Sequence, residues 1–287
     1  MTTVYLNGEW VPLERATVSV LDRGFIFGDG VYEVIPVYGR RPFRLSEHLA
    51  RLQASMDGIR LANPYPTETW TTLIGKLIEQ HEWADQSVYV QVTRGVAPRN
   101  HAFPKDAKPT VFIMTGPLSV PSREERDNGV DAITLNDYRW IRCNIKSTAL
   151  LANCMLKQAA VEAGCAEAIL LRDGFLTEGS STNIFVVKGN MLLAPPKSHL
   201  ILPGITYDVL IELARAHGMP IEVRPVSESE VRSAEELWLS SSSKEVLAIT
   251  RLDGEPVGNG KPGPMYRKMA GYFESSKSTR SAAPAHA

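Results

Sequence analysis

One lysine stands in a segment that could do chemistry. Lys146 directly follows Ile145 in the passage 137–147, DYRWIRCNIKS, between a predicted strand and a predicted helix. Apolar neighbours would remove water from this amine and favour its neutral form. A neutral amine is what a lysine needs in order to attack a carbonyl carbon and form an imine. On this segment alone, a solvated surface lysine is the alternative interpretation.

Three further clusters in the second half of the chain are suited to binding a small molecule. In 176–183, LTEGSSTN, small residues let a backbone approach a ligand closely, and Glu178 could hold a protonated ring nitrogen. The stretch 202–206, LPGIT, opens a predicted helix whose unpaired N–H groups and dipole favour a phosphate. The run 239–244, LSSSSK, ends a strand with four hydroxyl groups. Each cluster could equally be an ordinary turn, helix start or loop.

Two features within residues 1–118 carry cationic side chains. Arg51 lies on a predicted helix that begins with Ser46 as its N-cap, and it points away from the apolar stripe of that helix. Arg99 and His101 lie in a loop bounded by prolines, where such a pair can bind a carboxylate. A solvated helix surface and a solvated loop are the alternatives.

Composition excludes several classes of protein. The chain has 287 residues, 44% of them hydrophobic, with 31 Lys and Arg against 32 Asp and Glu, so no overall charge attracts nucleic acid or an anionic membrane. The sequence has no apolar stretch of the length of a membrane span and no signal-peptide pattern at its start, which predicts a cytoplasmic protein. Cys143, Cys154 and Cys165 fit neither a disulfide framework nor a zinc site, and no metal is expected. Dinucleotide, Walker, zincin and α/β-hydrolase motifs are absent.

The predicted elements divide the chain into two α+β domains. Residues 1–118 are predicted to alternate short strands and helices. Residues 129–275 are predicted to alternate in the same way, with a larger number of strands. The stretch 119–128 is rich in Pro, Ser and charge and is predicted to be an interdomain linker. The tail 276–287 is small and polar and is predicted to be disordered.

Taken together, these features resemble the fold-type IV pyridoxal-phosphate (PLP) enzymes, and most closely the D-amino-acid aminotransferases. No single motif is specific, but their order and spacing are. The matching segments are YLNG at 5–8, DRGF at 22–25, FGDGVYE at 27–33, EHLARL at 47–52, RCNIKS at 142–147, EGSSTN at 178–183 and LPGIT at 202–206. The resemblance implies an α+β fold with a smaller N-terminal domain and a larger C-terminal domain built on a β-barrel-like core.

The resemblance also implies roles for individual residues. It makes Lys146 the Schiff-base lysine that shuttles the substrate's α-proton, and Glu178 the partner of the pyridine nitrogen. The remaining site residues fall into two groups. The resemblance assigns phosphate binding to Arg51, to the amides of Ile205 and Thr206 and to Ser242, and carboxylate binding to Tyr32, Arg99 and His101. The last two would come from the neighbouring subunit of a homodimer.

The activity implied by the resemblance is PLP-dependent transamination of D-alanine or a similar D-amino acid with 2-oxoglutarate. Three alternatives on the same fold stay open: a branched-chain L-amino-acid aminotransferase, an (R)-amine transaminase and an aminodeoxychorismate-type lyase. The Arg99 and His101 pair separates the leading interpretation from the branched-chain enzymes and the lyases, which are not expected to carry it.

Overall fold

A computed structural model of the chain describes residues 2–279 and divides them into two compact units. The first contains residues 2–118 together with Ile145–Leu150, and the second contains Ser119–Asn144 and residues 151–279. Each unit combines helices with its own sheet, so the predicted α+β, two-domain fold is confirmed. No helix among the described residues has both the length and the apolar character that crossing a membrane requires.

The first unit is built on a six-stranded sheet in the order β2-β1-β6-β5-β3-β4. Its elements are β1 (Thr3–Leu6), β2 (Glu9–Pro12), α1 (Arg23–Phe27), β3 (Gly30–Tyr38), β4 (Arg41–Pro42), α2 (Leu45–Gly58), α3 (Thr67–Glu79), β5 (Gln86–Thr93) and β6 (Thr110–Pro117). All strand pairs in this sheet are antiparallel. One face is covered by α2 and α3, whose apolar stripes pack on Val31, Ile35 and Val90.

The start of α2 differs from the prediction. The helix begins at Leu45, and its N-cap is Arg44, whose φ of 57° is left-handed and which makes no side-chain cap. Ser46 lies inside the first turn, where its hydroxyl donates to Glu47 instead. The apolar stripe still has the predicted register, because Leu49, Leu52 and Met56 are buried.

The second unit is built on a nine-stranded mixed sheet in the order β12-β11-β10-β13-β14-β7-β8-β9, with β15 paired to β14. Its elements are α4 (Arg123–Asn128), β7 (Val130–Asn136), α5 (Leu151–Glu162), β8 (Glu167–Arg172), β9 (Phe175–Gly179), β10 (Asn183–Lys188), β11 (Met191–Ala194), α6 (Ile205–Ala216), β12 (Ile221–Val223), α7 (Glu228–Arg232), β13 (Glu236–Ser241), β14 (Glu245–Leu252), β15 (Glu255–Pro256) and α8 (Pro264–Thr279). The sheet curls, so that β9 contacts β10 as well as β8. A buried aliphatic cluster that includes Ile169, Ile184 and Leu237 packs against this sheet.

Three predicted boundaries differ from the structure. The predicted linker 119–128 contains α4, which Ser122 and Glu125 stabilise through a reciprocal capping box. Residues 145–150, predicted to lie in the C-terminal domain, belong to the first unit, because Ser147 pairs with Val31 of β3. Helix α8 continues to Thr279, past the predicted start of a disordered tail at 276. Residues 280–287 of that predicted tail lie outside the described residues.

Candidate functional site

Lys146 is attached to the first unit by its neighbours on both sides. Its carbonyl accepts a hydrogen bond from the Tyr32 amide at 3.0 Å, and its amide donates to Ser55 Oγ at 3.2 Å. Ile145, only 6% exposed, is part of the apolar core of this unit. A side chain on Gly58 would come within 2.9 Å of Ile145, so the glycine is what lets the segment approach α2. Ile145 therefore anchors the segment that carries Lys146 in the core of the first unit.

The amine of Lys146 lies over an aromatic ring. Its Nζ is 4.2 Å from the centre of the Tyr32 ring, and the side chain is half-buried. Tyr32 in turn stacks on Tyr89 of the next strand, with ring centres 5.7 Å apart. The structure thus brings two of the predicted site residues together, and strand pairing between β3 and β5 fixes the tyrosine.

Arg51 forms part of a buried charged cluster between α2 and β3. Its Nε and Nη2 donate to the two oxygens of Glu33 at 2.7 and 2.8 Å, and His48 Nδ1 lies 2.8 Å from the same carboxylate. Burial by itself raises the pKa of Glu33, but the Arg51 charge and the hydrogen bonds from both partners outweigh it and lower the pKa to about 2. Burial lowers the pKa of His48, so the ring is neutral and donates through Nδ1. Arg51 is therefore held in one orientation rather than solvated on the helix surface.

Arg99 and His101 lie in an exposed loop of the first unit. Both side chains pack on one ring, because the Arg99 guanidinium carbon and the His101 ring centre each lie 5.4 Å from the centre of Phe27. Their exposure leaves both side chains accessible to a group outside this unit.

Glu178 is buried at the end of β9 in the second unit, and its carboxylate has three hydrogen-bond partners. Arg139 Nη1 donates to Oε1 at 2.5 Å, the Leu202 amide donates to Oε2 at 3.0 Å, and Asn183 Nδ2 lies 3.3 Å from the same oxygen. The guanidinium of Arg139 is shared, because its Nε and Nη2 donate to both oxygens of Asp137 at 2.9 Å.

The ionisation of Glu178 follows from this sharing. Burial raises the pKa of Glu178 to about 7, because Arg139 is already largely neutralised by Asp137 and compensates it only in part. The pKa of Asp137, which burial alone would raise, is lowered by the same Arg139. Glu178 is thus a buried carboxylate whose charged form needs one more cationic neighbour.

The start of α6 presents an anion-binding arrangement. Gly204 is the N-cap and makes no side-chain cap, so the first amides of the helix, those of Ile205 and Thr206 among them, are not capped by it. A Cβ on Gly204 would lie 2.1 Å from Asn183 Oδ1, so only glycine fits beside that strand residue. Asn183 is paired in register with Ser240, and paired residues share one face of a sheet.

A buried hydroxyl without a partner lies on that same face. Among the described residues, Ser240 Oγ is buried and makes no hydrogen bond. Ser242, the serine expected to bind phosphate, lies two residues further on in the turn after β13 and is half-buried. Unsatisfied buried hydroxyls are rare in folded proteins, so Ser240 is a candidate donor to a polar ligand group.

Several residues that shape these clusters were not singled out from the sequence. Arg139 and Asp137 belong to the segment 137–147, where the signal was a pair of opposite charges next to Trp140 and Ile141. Glu33 and His48 lie within the matching segments 27–33 and 47–52, but the sequence assigns them no role. Their signal, ionisable residues at positions that the strand and helix patterns bury, was present in the sequence.

The chain is similar to proteins of one family along most of its length. Residues 30–252 match the family described as amino-transferase class IV. The D-alanine aminotransferase of Bacillus licheniformis is 40% identical over 266 residues, which cover 93% of this chain and 94% of that protein. The D-alanine aminotransferase of Staphylococcus epidermidis is 40% identical over 275 residues, which cover 96% of this chain and 97% of that protein.

Solved structures show the same fold. The branched-chain amino acid aminotransferase of Escherichia coli superposes with a TM-score of 0.90 at 25% identity, covering 96% of this chain and 94% of that one. The branched-chain amino acid aminotransferase of T.th., solved with pyridoxamine 5'-phosphate, superposes with a TM-score of 0.90 at 25% identity, covering 97% and 95%.

Proposed function

The chain belongs to the class IV aminotransferases, which are PLP enzymes, and on this premise we propose that it transfers the amino group of D-alanine or a similar small D-amino acid to 2-oxoglutarate. The products are a 2-oxo acid and D-glutamate. The observation that carries this proposal is the 40% identity to D-alanine aminotransferases over nearly the whole chain. The branched-chain enzymes share the fold at 25% identity.

The groups present suit PLP, which offers an aldehyde, a basic ring nitrogen and a phosphate. Lys146 supplies an amine over the Tyr32 ring. Glu178, whose pKa burial raises to about 7, supplies a carboxylate that a protonated ring nitrogen would stabilise in its charged form. The uncapped start of α6 and the unpartnered Ser240 hydroxyl supply donors for the phosphate.

Bound PLP supplies an electron sink that makes the proton on the substrate's α-carbon acidic. With PLP bound, Nζ of Lys146 would take up that proton and hold it for return at the end of the half-reaction. The charge of Glu178 would favour a protonated ring nitrogen. Arg51, fixed by Glu33, would be one donor to the phosphate, and the amides of Ile205 and Thr206 and the hydroxyl of Ser242 would be the others.

Tyr32, Arg99 and His101 bind the α-carboxylate of the substrate and so decide which face of its α-carbon meets the lysine. We propose that Arg99 and His101 serve the site of a second subunit. Their exposure supports this, since neither is enclosed within its own unit. Phe25 and Val20 of the same unit are 72% and 70% exposed, which is typical of a surface that a partner covers. We therefore propose that the assembly is a homodimer.

We also propose a cytoplasmic location. Cys143, Cys154 and Cys165 are free thiols, as is usual in a reducing compartment.

The test is a panel of D- and L-amino acids with 2-oxoglutarate as the fixed acceptor. We expect D-alanine to bleach the absorbance of the bound cofactor and to give pyruvate and D-glutamate in equal amounts. Turnover of L-leucine without any response to D-amino acids would replace the proposal with a branched-chain activity. Release of pyruvate without 2-oxoglutarate would indicate a lyase instead.

A further inference from the structure

We infer that Arg23 is a positioning residue for substrate-carboxylate recognition, because its guanidinium binds the backbone of the loop that carries Arg99 and His101. This inference rests on the carboxylate role proposed above for those two side chains. Arg23 itself touches neither the substrate nor the cofactor in this proposal. It acts by fixing the loop.

The side chain of Arg23 reaches three consecutive carbonyl groups of the loop. Nη1 donates to the carbonyl of Asn100 at 2.5 Å and lies 3.4 Å from that of Ala102, and Nη2 lies 3.4 Å from the carbonyl of His101. Arg23 is 3% exposed, so its guanidinium reaches these carbonyls from the protein side of the loop. A guanidinium can serve three carbonyls at once because its donors lie in one rigid plane.

A second arginine fixes Arg23 and the far end of the loop. Asp29 accepts from Nε of Arg23 at 2.7 Å and from Nε and Nη2 of Arg94 at 2.8 and 3.0 Å. Arg94 also donates to the carbonyls of Ile59 and Arg60, at the end of α2. Its guanidinium carbon lies 3.7 Å from the ring centre of Phe103, the residue that follows the three bound carbonyls.

The side chains of the loop meet the same structure. Phe27, four residues after Arg23 on α1, packs against Arg99 and His101, and the Arg23 guanidinium carbon lies 4.8 Å from its ring centre. One short helix therefore binds the loop twice, through a buried guanidinium to its backbone and through a ring to its two functional side chains. Loss of the backbone bonds would release both side chains together.

Arg23→Lys tests the inference, because lysine keeps the charge beside Asp29 but loses the planar donors. We expect the KM for the amino-acid substrate to rise about tenfold, with kcat within about twofold and the dissociation constant of PLP unchanged. Amide hydrogen exchange in the segment 98–106 should become at least about tenfold faster, a readout that does not depend on turnover. The KM is measured with whichever enantiomer the wild type accepts, so a failed D-preference leaves this test intact.

Arg40→Lys is the matched control. Arg40 also donates to backbone carbonyls of the first unit, those of Ile78 and His81 at 3.0 and 2.8 Å. These carbonyls do not belong to the loop that carries Arg99 and His101. Phe103→Ala removes the contact with Arg94 at a residue that is 45% exposed, and it serves if Arg23→Lys does not fold. We expect Phe103→Ala to raise KM and loop exchange as well. Unchanged amide exchange of the loop in both Arg23→Lys and Phe103→Ala would overturn the inference. Faster exchange accompanied by a KM no higher than that of Arg40→Lys would overturn it as well.

Discussion

Two buried glutamates in this chain have pKa shifts of opposite sign, and the number of cations around each explains why. Glu33 accepts two hydrogen bonds from Arg51 and one from His48, and its pKa falls to about 2. Glu178 shares Arg139 with Asp137, and burial raises its pKa to about 7. The charge of the Glu33 carboxylate is compensated within the protein, and this carboxylate holds Arg51 in place. The charge of Glu178 is compensated only in part, so a cationic ligand group would stabilise it.

This difference predicts how stability depends on pH. The pKa of Glu178 in the folded apoprotein, about 7, lies above its ordinary value of 4.5, so the folded state binds the proton more tightly than the unfolded chain. The associated stability is complete below pH 4.5 and is lost as the pH rises towards 7. The free energy of unfolding of Glu178→Gln apoprotein, taken relative to that of wild-type apoprotein, should therefore rise by about 2.5 kcal/mol as the pH goes from 5 to 8.

Urea unfolding of both apoproteins at four pH values measures that difference. Glu33→Gln is the control, because a folded pKa of about 2 and an ordinary value of 4.5 both lie below the measured range. Its difference from wild type should stay constant from pH 5 to 8. A flat difference for Glu178→Gln as well would mean that Arg139 keeps Glu178 ionised throughout.

At the scale of elements, local signals predicted most helices and strands. Asn7 and Gly8 have φ values of 51° and 104°, as the predicted two-residue hairpin requires, and Pro203-Gly204 does precede a helix. The exceptions depend on contacts that are distant in sequence. Residues 145–150 join the first unit through pairing with β3, and no local pattern in the segment indicates that partner.

The same limit applies to the candidate site. Residue types and order predicted Lys146, Glu178 and Arg51 as a set, but not the groups that hold them. Glu33 is 18 residues from Arg51, and Arg139 is 39 residues from Glu178. Only the folded structure shows that Glu33 meets Arg51 and that Glu178 meets Arg139. Because Arg139 is shared with Asp137, the two glutamates differ in pKa.

The start of α6 gives a prediction for an element. In Gly204→Ala the new methyl group would meet Asn183 Oδ1 at 2.1 Å, so the helix start or the asparagine must move. We expect PLP to bind about tenfold more weakly, with a smaller loss for pyridoxal, which lacks the phosphate. Fluorescence titration of the apoprotein measures both constants. Gly271→Ala in α8, where a Cβ meets nothing within 4 Å, is the control; equal losses for the two ligands would argue against a phosphate site at α6.

At the scale of the whole molecule, the exposed loop with Arg99 and His101 predicts that two chains share each site. One variant, Lys146→Ala, lacks the amine, and a second, Arg99→Ala with His101→Ala, lacks the carboxylate donors. Each homodimer should be nearly inactive towards a D-amino acid. A heterodimer of the two has one site in which an intact Lys146 meets the intact loop of the other chain.

Random exchange of equal amounts of the two variants makes half of the dimers heterodimers, each with one of two sites intact, so activity should return to about a quarter of that of the wild type. Co-refolding or co-expression with two affinity tags allows the heterodimer to be isolated, and its rate per molecule should be about half that of the wild type. If each loop instead served its own chain, every site in the heterodimer would lack either the amine or the donors. Mixing would then restore nothing, and size-exclusion chromatography would show whether a dimer had formed at all.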